Sequence, residues 1–178
     1  MIDKQHLRVH LRAARAGATR RPILVPRGFL DRLVPGLVLA SYIPVGGEAD
    51  PAPLARAALA LGCTLALPHV IDRATPLRFL HWAEGSALVE GPFGLRQPAA
   101  HHAEMEPAII LTPLLGFDRS GNRIGQGAGH YDRAFAAHPN AWRVGIALEI
   151  QEVPLLTPDP WDMPLHAIAT DQEWIIVP

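Results

Sequence analysis

Residues 37–67, LVLASYIPVGGEADPAPLARAALALGCTLAL, contain two short apolar segments separated by a helical pattern. The segments Leu37 to Tyr42 and Cys63 to Leu67 are predicted to be buried strands, and Pro68 is expected to end the second. A helix is predicted between them, from Pro51 to Leu61. Short apolar strands that alternate with helices are typical of a mostly parallel sheet covered on both faces.

The same alternation continues in both directions along the chain. Leu7, Leu11 and Ala14 repeat at helical spacing and predict a first helix that Asp3 caps and Gly17 ends. Other helices are expected at 26–33 and 132–137, further strands at 77–82 (an edge), 108–111, 143–148, 168 and 174–177, and a loop with a short hairpin at 84–107. The predicted fold class is therefore α/β, a three-layer αβα arrangement, with residues 1–178 as a single domain.

Composition excludes several classes of protein. Hydrophobic residues make up 49% of the 178, which favours a packed core over disorder. A net charge of −1 provides no field that would attract nucleic acid or a membrane surface. Cys63 is the only cysteine, which suggests a reducing compartment, and no apolar run approaches the roughly 20 residues of a membrane span. No signal peptide is recognisable, so a cytoplasmic location is expected.

The segment Gly116 to Arg133, GFDRSGNRIGQGAGHYDR, carries the strongest functional signal. Gly125, Gly127 and Gly129 alternate just before a predicted helix. Without side chains, successive main-chain N–H groups can converge on an anion, and the helix adds its positive end. The alternative is a turn that needs glycine only for its backbone angles. The flanking cations and polar residues favour a phosphate site.

The two common nucleotide-binding motifs do not fit this segment. The P-loop requires a Gly-Lys pair, and the chain contains none. The dinucleotide fingerprint requires its third glycine one position after Gly129, where His130 stands.

Other chemistries have weaker support. His6 and His10 are one helical turn apart but have no third ligand nearby in sequence, which argues against zinc. No serine lies in a G-x-S-x-G motif, and Cys63 in an apolar strand is better explained as core. Scattered arginines and two tyrosines do not form a nucleic-acid platform.

The glycine segment resembles the 5-formyltetrahydrofolate cyclo-ligase family, also called methenyltetrahydrofolate synthetases. The family hallmark is G-x-G-G-G-Y-Y-D-R after F-D-x-x-G-x-R, and here Phe117–Arg123 leads into Gly125–Arg133 with matching spacing. The similarity extends nearly end to end, and the other matching pieces are Lys4–Arg8, Tyr42 with Pro44 and Glu48, Leu67–Pro68, Phe93–Pro98, Val144–Ala147, Trp161–Asp162 and Ala169–Thr170.

The resemblance implies an enzyme that uses ATP and Mg²⁺ to convert 5-formyltetrahydrofolate into 5,10-methenyltetrahydrofolate. The formyl oxygen takes the γ-phosphoryl group, nitrogen 10 attacks the activated carbon, and phosphate leaves. Such chemistry requires mainly positioning and charge neutralisation, without a covalent nucleophile.

The resemblance also implies which residues bind ATP. Lys4 and Arg123 are the expected catalytic cations, and Lys4 and Arg8 lie four apart on one helix face. The alternative is a solvated basic face, which Arg12 and Arg15 continue. The expected ATP-binding set is Lys4, Arg8, Arg123, Gly125, Gln126, Gly127, Ala128, Gly129, His130 and Tyr131.

Two aspartates are the expected magnesium ligands. The resemblance assigns this role to Asp132 and Asp162, because Mg²⁺ prefers carboxylate oxygens and retained waters. The alternative for Asp132 is a helix N-terminal acid that interacts with the dipole.

Substrate recognition is expected from three further residues. Glu48 could accept two hydrogen bonds from the amino-pyrimidinone edge of a pterin, or it is an ordinary acid on a turn. Ile43 and Phe93 would provide apolar walls for the ring system, or they belong to the core.

Four positions depart from the family pattern. His130 replaces the first tyrosine of the Tyr-Tyr pair, Trp161 the usual histidine before Asp162, His69 a frequent arginine and Ala128 a glycine. Since His130 lies in the predicted site, two other hypotheses stay open: a non-catalytic or regulatory protein that binds nucleotide or folate, and a related ATP-dependent ligase with another substrate. The expected partners are reduced folate and ATP, and the expected state is a monomer or weak homodimer.

Overall fold

The computed structural model describes residues 4–178, so the predicted cap Asp3 lies outside the described residues. The helices are α1 Lys4–Gly17, α2 Arg27–Leu30, α3 Ala52–Ala60 and α4 His130–Ala137, with 3₁₀ turns at Pro92–Gly94 and Glu149–Gln151. The strands are β1 Val38–Ala40, β2 Thr64–His69, β3 Arg78–His81, β4 Val89–Glu90, β5 Arg96–Gln97, β6 Ile109–Pro113, β7 Gly116–Phe117, β8 Arg123–Ile124, β9 Trp142–Ile146, β10 Ala167–Ala169 and β11 Trp174–Ile176.

Seven of these strands form one mixed sheet in the order β11-β10-β9-β6-β1-β2-β3. The five central strands are parallel to one another; in order across the sheet they are β10, β9, β6, β1 and β2. At the two edges, β11 pairs with β10 and β3 pairs with β2 in the antiparallel direction. The pairs β4–β5 and β7–β8 form two separate hairpins. The predicted mostly parallel α/β sheet is confirmed.

Successive side chains of the central strands supply two separate cores, because they point to opposite faces of the sheet. On one face, Leu39 packs in a cluster with Phe29 of α2 and Leu54 of α3. On the other face, Ile110 packs in a cluster with Phe135 of α4. All five side chains are below 2% exposed, and burying each stabilises the fold by about 1.5–3 kcal/mol. Helices therefore cover both faces, as predicted.

Helix α1 packs separately from the other helices. Its apolar stripe contributes Leu11, which joins Leu115, Ile124 and Leu156 in a third cluster. Leu115 is the second residue after β6, so this packing places α1 beside the segment that leaves the carboxyl end of that strand.

The predicted end of β2 at Pro68 is wrong, because the strand continues to His69. Pairing of β2 with β1 extends only to Ala66, so beyond that residue β2 has a partner on one side, where Pro68 lies opposite Phe79. Proline lacks a donor, and it is tolerated where one side of a strand is unpaired.

Other elements also differ from the predictions. Helix α4 begins at His130, because Gly129 takes a left-handed conformation with φ 67° directly before it. Helix α2 ends at Leu30, three residues earlier than predicted. The β7–β8 hairpin was not predicted at all, since strands of two residues carry almost no periodic signal.

The strand order has a switch point between β1 and β6. From β1 the chain moves to β2 on one side, whereas from β6 it moves to β9 on the other. In open parallel sheets, the segments that follow two such strands separate and leave a crevice at their carboxyl ends. Here these segments are residues 41–51 and 114–129. No helix among the described residues is long and apolar enough to cross a membrane.

Candidate active site

A cavity of about 690 Å³ opens at the switch point. Its wall contains every residue that the sequence predicted for a binding or catalytic role: Lys4, Arg8, Ile43, Glu48, Phe93, Arg123, Gly125, Gln126, Gly127, Ala128, Gly129, His130, Tyr131, Asp132 and Asp162. Cavities of this size hold small molecules and cofactors. Residues up to 158 positions apart in sequence therefore share one site.

The main-chain N–H groups of residues 125–129 are available to a ligand. None of them donates a hydrogen bond to any residue within 4–178. Gly127 has φ 101° and Gly129 has φ 67°, conformations that side-chain-bearing residues rarely adopt. Unpaired N–H groups in such a loop, followed by the start of α4, are typical of anion sites.

Each of the three alternating glycines faces one guanidinium group. A Cβ at Gly125 would lie 3.3 Å from Nη1 of Arg123, one at Gly127 would lie 3.6 Å from Cζ of Arg8, and one at Gly129 would lie 3.0 Å from Nη1 of Arg133. Arg8 also donates from Nε to the carbonyl oxygen of Gly125 at 3.0 Å. Nε of Arg123 is buried and has no hydrogen-bond partner among the described residues. Glycine thus provides room for cations as well as free N–H groups.

Lys4 is held by two aspartates. Its Nζ lies 2.6 Å from Oδ2 of Asp159 and 3.3 Å from Oδ2 of Asp162. Partial burial lowers the pKa of Lys4, but the hydrogen bonds and charges of both carboxylates outweigh it and raise the pKa above its ordinary value. Lys4 is thus an ammonium ion at neutral pH. Arg8 and Lys4 line the cavity, so this helix face is not merely solvated.

The two predicted metal ligands lie close enough to interact. Burial raises the pKa of Asp132, Arg123 opposes this shift, and the negative charge of Asp162 adds to it. Oδ1 of Asp132 accepts from Nη2 of Arg123 at 2.5 Å, and Oδ2 of Asp162 accepts from the main-chain N–H of Asp159 at 2.8 Å. Within residues 4–178, no three His, Cys, Asp or Glu side chains form a complete metal cage. The pair fits a cation such as Mg²⁺ that takes its remaining ligands from phosphate and water.

Glu48 occupies another part of the cavity wall, on the segment that follows β1. It is 8% exposed, and its Oε2 accepts from the main-chain N–H of Val45 at 3.1 Å. Burial raises the pKa of Glu48, while the Val45 N–H and the charge of Arg15 oppose the rise. The buried guanidinium of Arg15 also donates to the carbonyl oxygen of Gly46 at 2.8 Å, which fixes the turn before Glu48. A buried carboxylate facing a cavity is poised to accept hydrogen bonds from a ligand.

Phe93 and His130 form another part of the cavity rim. Phe93 is 58% exposed and has φ 61°, the only positive φ among the described non-glycine residues. Its ring centroid lies 6.5 Å from that of His130, and Cζ of Arg73 lies 5.4 Å from the Phe93 centroid. An exposed aromatic ring held in a strained backbone conformation is typical of a ligand contact rather than of a core residue. Ile43 is half-buried in the wall.

Of the three remaining residues that depart from the family pattern, two lie in the cavity wall and one lies outside it. Trp161 lines the cavity with 69% of its surface exposed, and Ala128 lies in the glycine loop. His69 is buried outside the lining, with Nδ1 2.9 Å from the carbonyl oxygen of Pro98. His69 therefore contributes to packing.

Several lining residues escaped the sequence predictions. Arg12, which continues the basic face of α1, donates from Nη2 to Oε1 of Gln126 at 2.9 Å. The spacing of four from Arg8 could have identified it. Asp159 and the rim residues Arg73 and Arg96 carried no sequence signal.

Together, the switch-point cavity and the unpaired N–H groups of its glycine loop are typical of α/β enzymes that act on small molecules. The profile of the 5-formyltetrahydrofolate cyclo-ligase family matches residues 1–171. The chain belongs to this family, as its motifs predicted.

Relatives and solved structures agree with this assignment. The chain is 31% identical over 160 residues to 5-formyltetrahydrofolate cyclo-ligase of Mycolicibacterium smegmatis, which covers 84% of this chain and 82% of the relative. It is 32% identical over 147 residues to the Escherichia coli K12 protein of the same name, with 76% and 80% covered. The structure of Aquifex aeolicus 5,10-methenyltetrahydrofolate synthetase has the same fold, with a TM-score of 0.74, 24% identity, and 98% and 92% covered.

Proposed function

We propose that this protein catalyses the ATP- and Mg²⁺-dependent conversion of 5-formyltetrahydrofolate to 5,10-methenyltetrahydrofolate. The products are ADP and phosphate. We also propose that it works as a single domain in the cytoplasm, as a monomer or weak homodimer.

One observation carries the nucleotide part of the proposal. The N–H groups of residues 125–129 bond to no described residue, and the guanidinium groups of Arg8 and Arg123 pack against Gly127 and Gly125 of the same loop. A triphosphate satisfies both features at once, since it is an extended anion with many acceptor oxygens. Arg133 lies outside the cavity lining, so Arg8 and Arg123 would contact the phosphates.

In the proposed reaction, the formyl oxygen attacks the γ-phosphorus and ADP leaves. Nitrogen 10 then attacks the formyl carbon, loses its proton, and phosphate departs with the former formyl oxygen. Lys4 and Arg123 would neutralise the charge on the transferred group, and the loop N–H groups would hold the remaining phosphate oxygens. Lys4 would exchange its aspartate partners for phosphate oxygens when the nucleotide binds.

Asp132 and Asp162 would hold Mg²⁺. The ion supplies charge neutralisation on the phosphate oxygens. The cations beside these aspartates, Arg123 and Lys4, keep both carboxylates in place before the ion binds.

Glu48 would orient the folate. Its carboxylate would accept hydrogen bonds from the amino-pyrimidinone edge of the pterin, while Ile43 and Phe93 would contact the ring faces. With the pterin held there, the formyl group would point towards the γ-phosphate.

The experiment measures methenyl absorbance after purified protein is mixed with 5-formyltetrahydrofolate, with ATP and Mg²⁺ present or absent. We expect product only when both are present, in equal amount to the ADP formed. Binding of both ligands without product would favour a regulatory role. ATP hydrolysis with another amide or carboxylate substrate, and none with 5-formyltetrahydrofolate, would favour a different ligase.

A further inference from the structure

Arg133 lies behind the cavity wall and joins two loops that line it. Its Nη1 donates to the carbonyl oxygen of Ala128 at 3.1 Å, and its Nη2 donates to the carbonyl oxygen of Arg73 at 2.6 Å. Ala128 belongs to the glycine loop, and Arg73 belongs to the loop at 70–77 between β2 and β3, here named the rim loop. One planar guanidinium group thus bridges two segments that are 55 positions apart in sequence.

The rim loop has few other anchors around Arg73. Oδ1 of Asp72 accepts from the main-chain N–H groups of Ala74 at 2.8 Å and Thr75 at 2.7 Å, which gives the loop a local turn. Nε2 of His130 donates to the carbonyl oxygen of Asp72 at 3.1 Å. Both bonds that tie residues 72–73 to the rest of the site therefore come from the first turn of α4, directly after the glycine loop.

The rim loop in turn positions the aromatic wall. The guanidinium of Arg73 lies 5.4 Å from the Phe93 ring centroid, and the His130 ring lies 6.5 Å from that centroid. Phe93 has little else to hold it, since its side chain is 58% exposed. A displacement of Arg73 would therefore change where the Phe93 ring stands.

The N–H groups of the glycine loop bond to no described residue, so phosphates bound to them would fix the position of the loop. Any shift of Ala128 is transmitted through Arg133 to Arg73, and from there to Phe93. The forked geometry of arginine allows one side chain to hold two acceptors in fixed relation, which the single ammonium of lysine does not reproduce.

We propose that Arg133 is a positioning residue that couples the two substrate sites, so that nucleotide bound in the glycine loop increases the affinity for folate by fixing the rim loop and Phe93. The proposal rests on the proposed function for the identity of the two ligands. Arg133 itself contacts neither ligand, because it is absent from the lining of the cavity. Linkage requires the effect to be reciprocal, so folate increases nucleotide affinity by the same factor.

The test measures the dissociation constant of 5-formyltetrahydrofolate with and without a non-hydrolysable ATP analogue and Mg²⁺. In the unaltered protein we expect the analogue to tighten folate binding about tenfold, within the usual range of coupling between sites. In Arg133→Ala the factor should fall to about one, while the affinity for the analogue alone changes less than about threefold. Arg133→Lys should give an intermediate factor, and Arg21→Ala, an exposed arginine outside the cavity lining, should keep the full factor.

A second variant tests the same coupling in case Arg133→Ala does not fold. Arg73→Ala keeps the carbonyl oxygen that Arg133 binds but removes the guanidinium beside Phe93, and it should also reduce the coupling factor. Full coupling in both variants, or a factor of one in the unaltered protein, would overturn the proposal. Equal weakening of both ligands in Arg133→Ala with an unchanged factor would show a structural role only. If the unaltered protein makes no methenyl product, the proposed function is wrong, and the coupling proposal, which depends on it, is wrong as well.

Discussion

The two ends of the cavity are built in different ways. The cationic end consists of Lys4, Arg8, Arg123 and the loop 125–129, and most of its groups are main-chain N–H groups or side chains already in ion pairs. The carboxylate end depends on one buried side chain, Glu48, which a main-chain N–H and the buried Arg15 hold in place.

The difference shows how each end meets its ligand. At the cationic end, Lys4 and Arg123 are already paired with carboxylates, so in the proposed function phosphates would replace carboxylates as partners of Lys4. At the carboxylate end, the charge of Glu48 is only partly compensated, and burial makes the ionised form costly until a donor reaches it. Substitutions at the two ends should therefore affect different kinetic constants.

The largest effect is expected from Lys4→Ala. Loss of the ammonium that neutralises the transferred phosphoryl group should reduce kcat by about 10³-fold. The unfolding free energy should change by less than about 1 kcal/mol, since the Lys4 side chain is 33% exposed and its ion pairs are partly solvated. Steady-state kinetics and thermal unfolding measure the two quantities. An unchanged kcat would contradict the catalytic role assigned to Lys4.

Asp132→Asn should reduce kcat by about 10²-fold and increase the Mg²⁺ concentration needed for half-maximal rate. Asparagine retains an oxygen for Nη2 of Arg123, which is 7% exposed and would otherwise lose a buried partner. A Mg²⁺ titration of the rate checks this expectation. The same Mg²⁺ dependence in both proteins would contradict the metal assignment.

Glu48→Gln should raise the KM for 5-formyltetrahydrofolate by about tenfold or more, because a charge-assisted pair to the pterin becomes neutral. The KM for ATP should change less than about threefold, since the two ends contact different ligands. Equal increases for both substrates would show that the two ends are not separable.

The same variant should be more stable than the unaltered protein at neutral pH. A carboxylic acid whose pKa is raised by folding binds its proton more tightly in the folded state, so stability decreases as the pH rises above the ordinary value of 4.5 and through the raised pKa. Glutamine has no such dependence. Urea unfolding at several pH values should show an advantage for Glu48→Gln that disappears as the pH falls towards 4.5. An advantage that persists in acid would have another cause.

The smallest effect is expected from Arg119→Ala, which lies at neither end of the cavity. Arg119 forms surface ion pairs with Glu152 and Glu173 and is 55% exposed. Its removal should cost at most about 1 kcal/mol of stability and leave kcat and both KM values unchanged. A loss of activity in this variant would show that the kinetic effects above are not specific to the cavity.

Sequence reasoning predicted the layers of the fold because they follow from local patterns. The short apolar segments around Leu39, Leu65 and Ile110 predict strands buried on both faces of a sheet. It failed at Pro68, because whether a proline is tolerated depends on how far the neighbouring strand extends, and that length is a property of the assembled sheet.

The candidate site divides in the same way. Residues within the motifs, such as Gly127 and Asp132, could be named from spacing and resemblance. Asp159 and Arg73 could not, because they join the cavity only through contacts with distant residues. The bridge made by Arg133 has no sequence signature either, since both of its acceptors are main-chain carbonyl oxygens, which every residue possesses.

The placement of Lys4 has a practical consequence. The chain has fifteen arginines but only one lysine. Its only side-chain amine therefore belongs to Lys4, which lines the cavity. An acylating reagent that labels lysines therefore marks one position besides the α-amino group. Its labelling rate, slowed by the raised pKa of that amine, would report how the pocket is occupied without any assay of turnover.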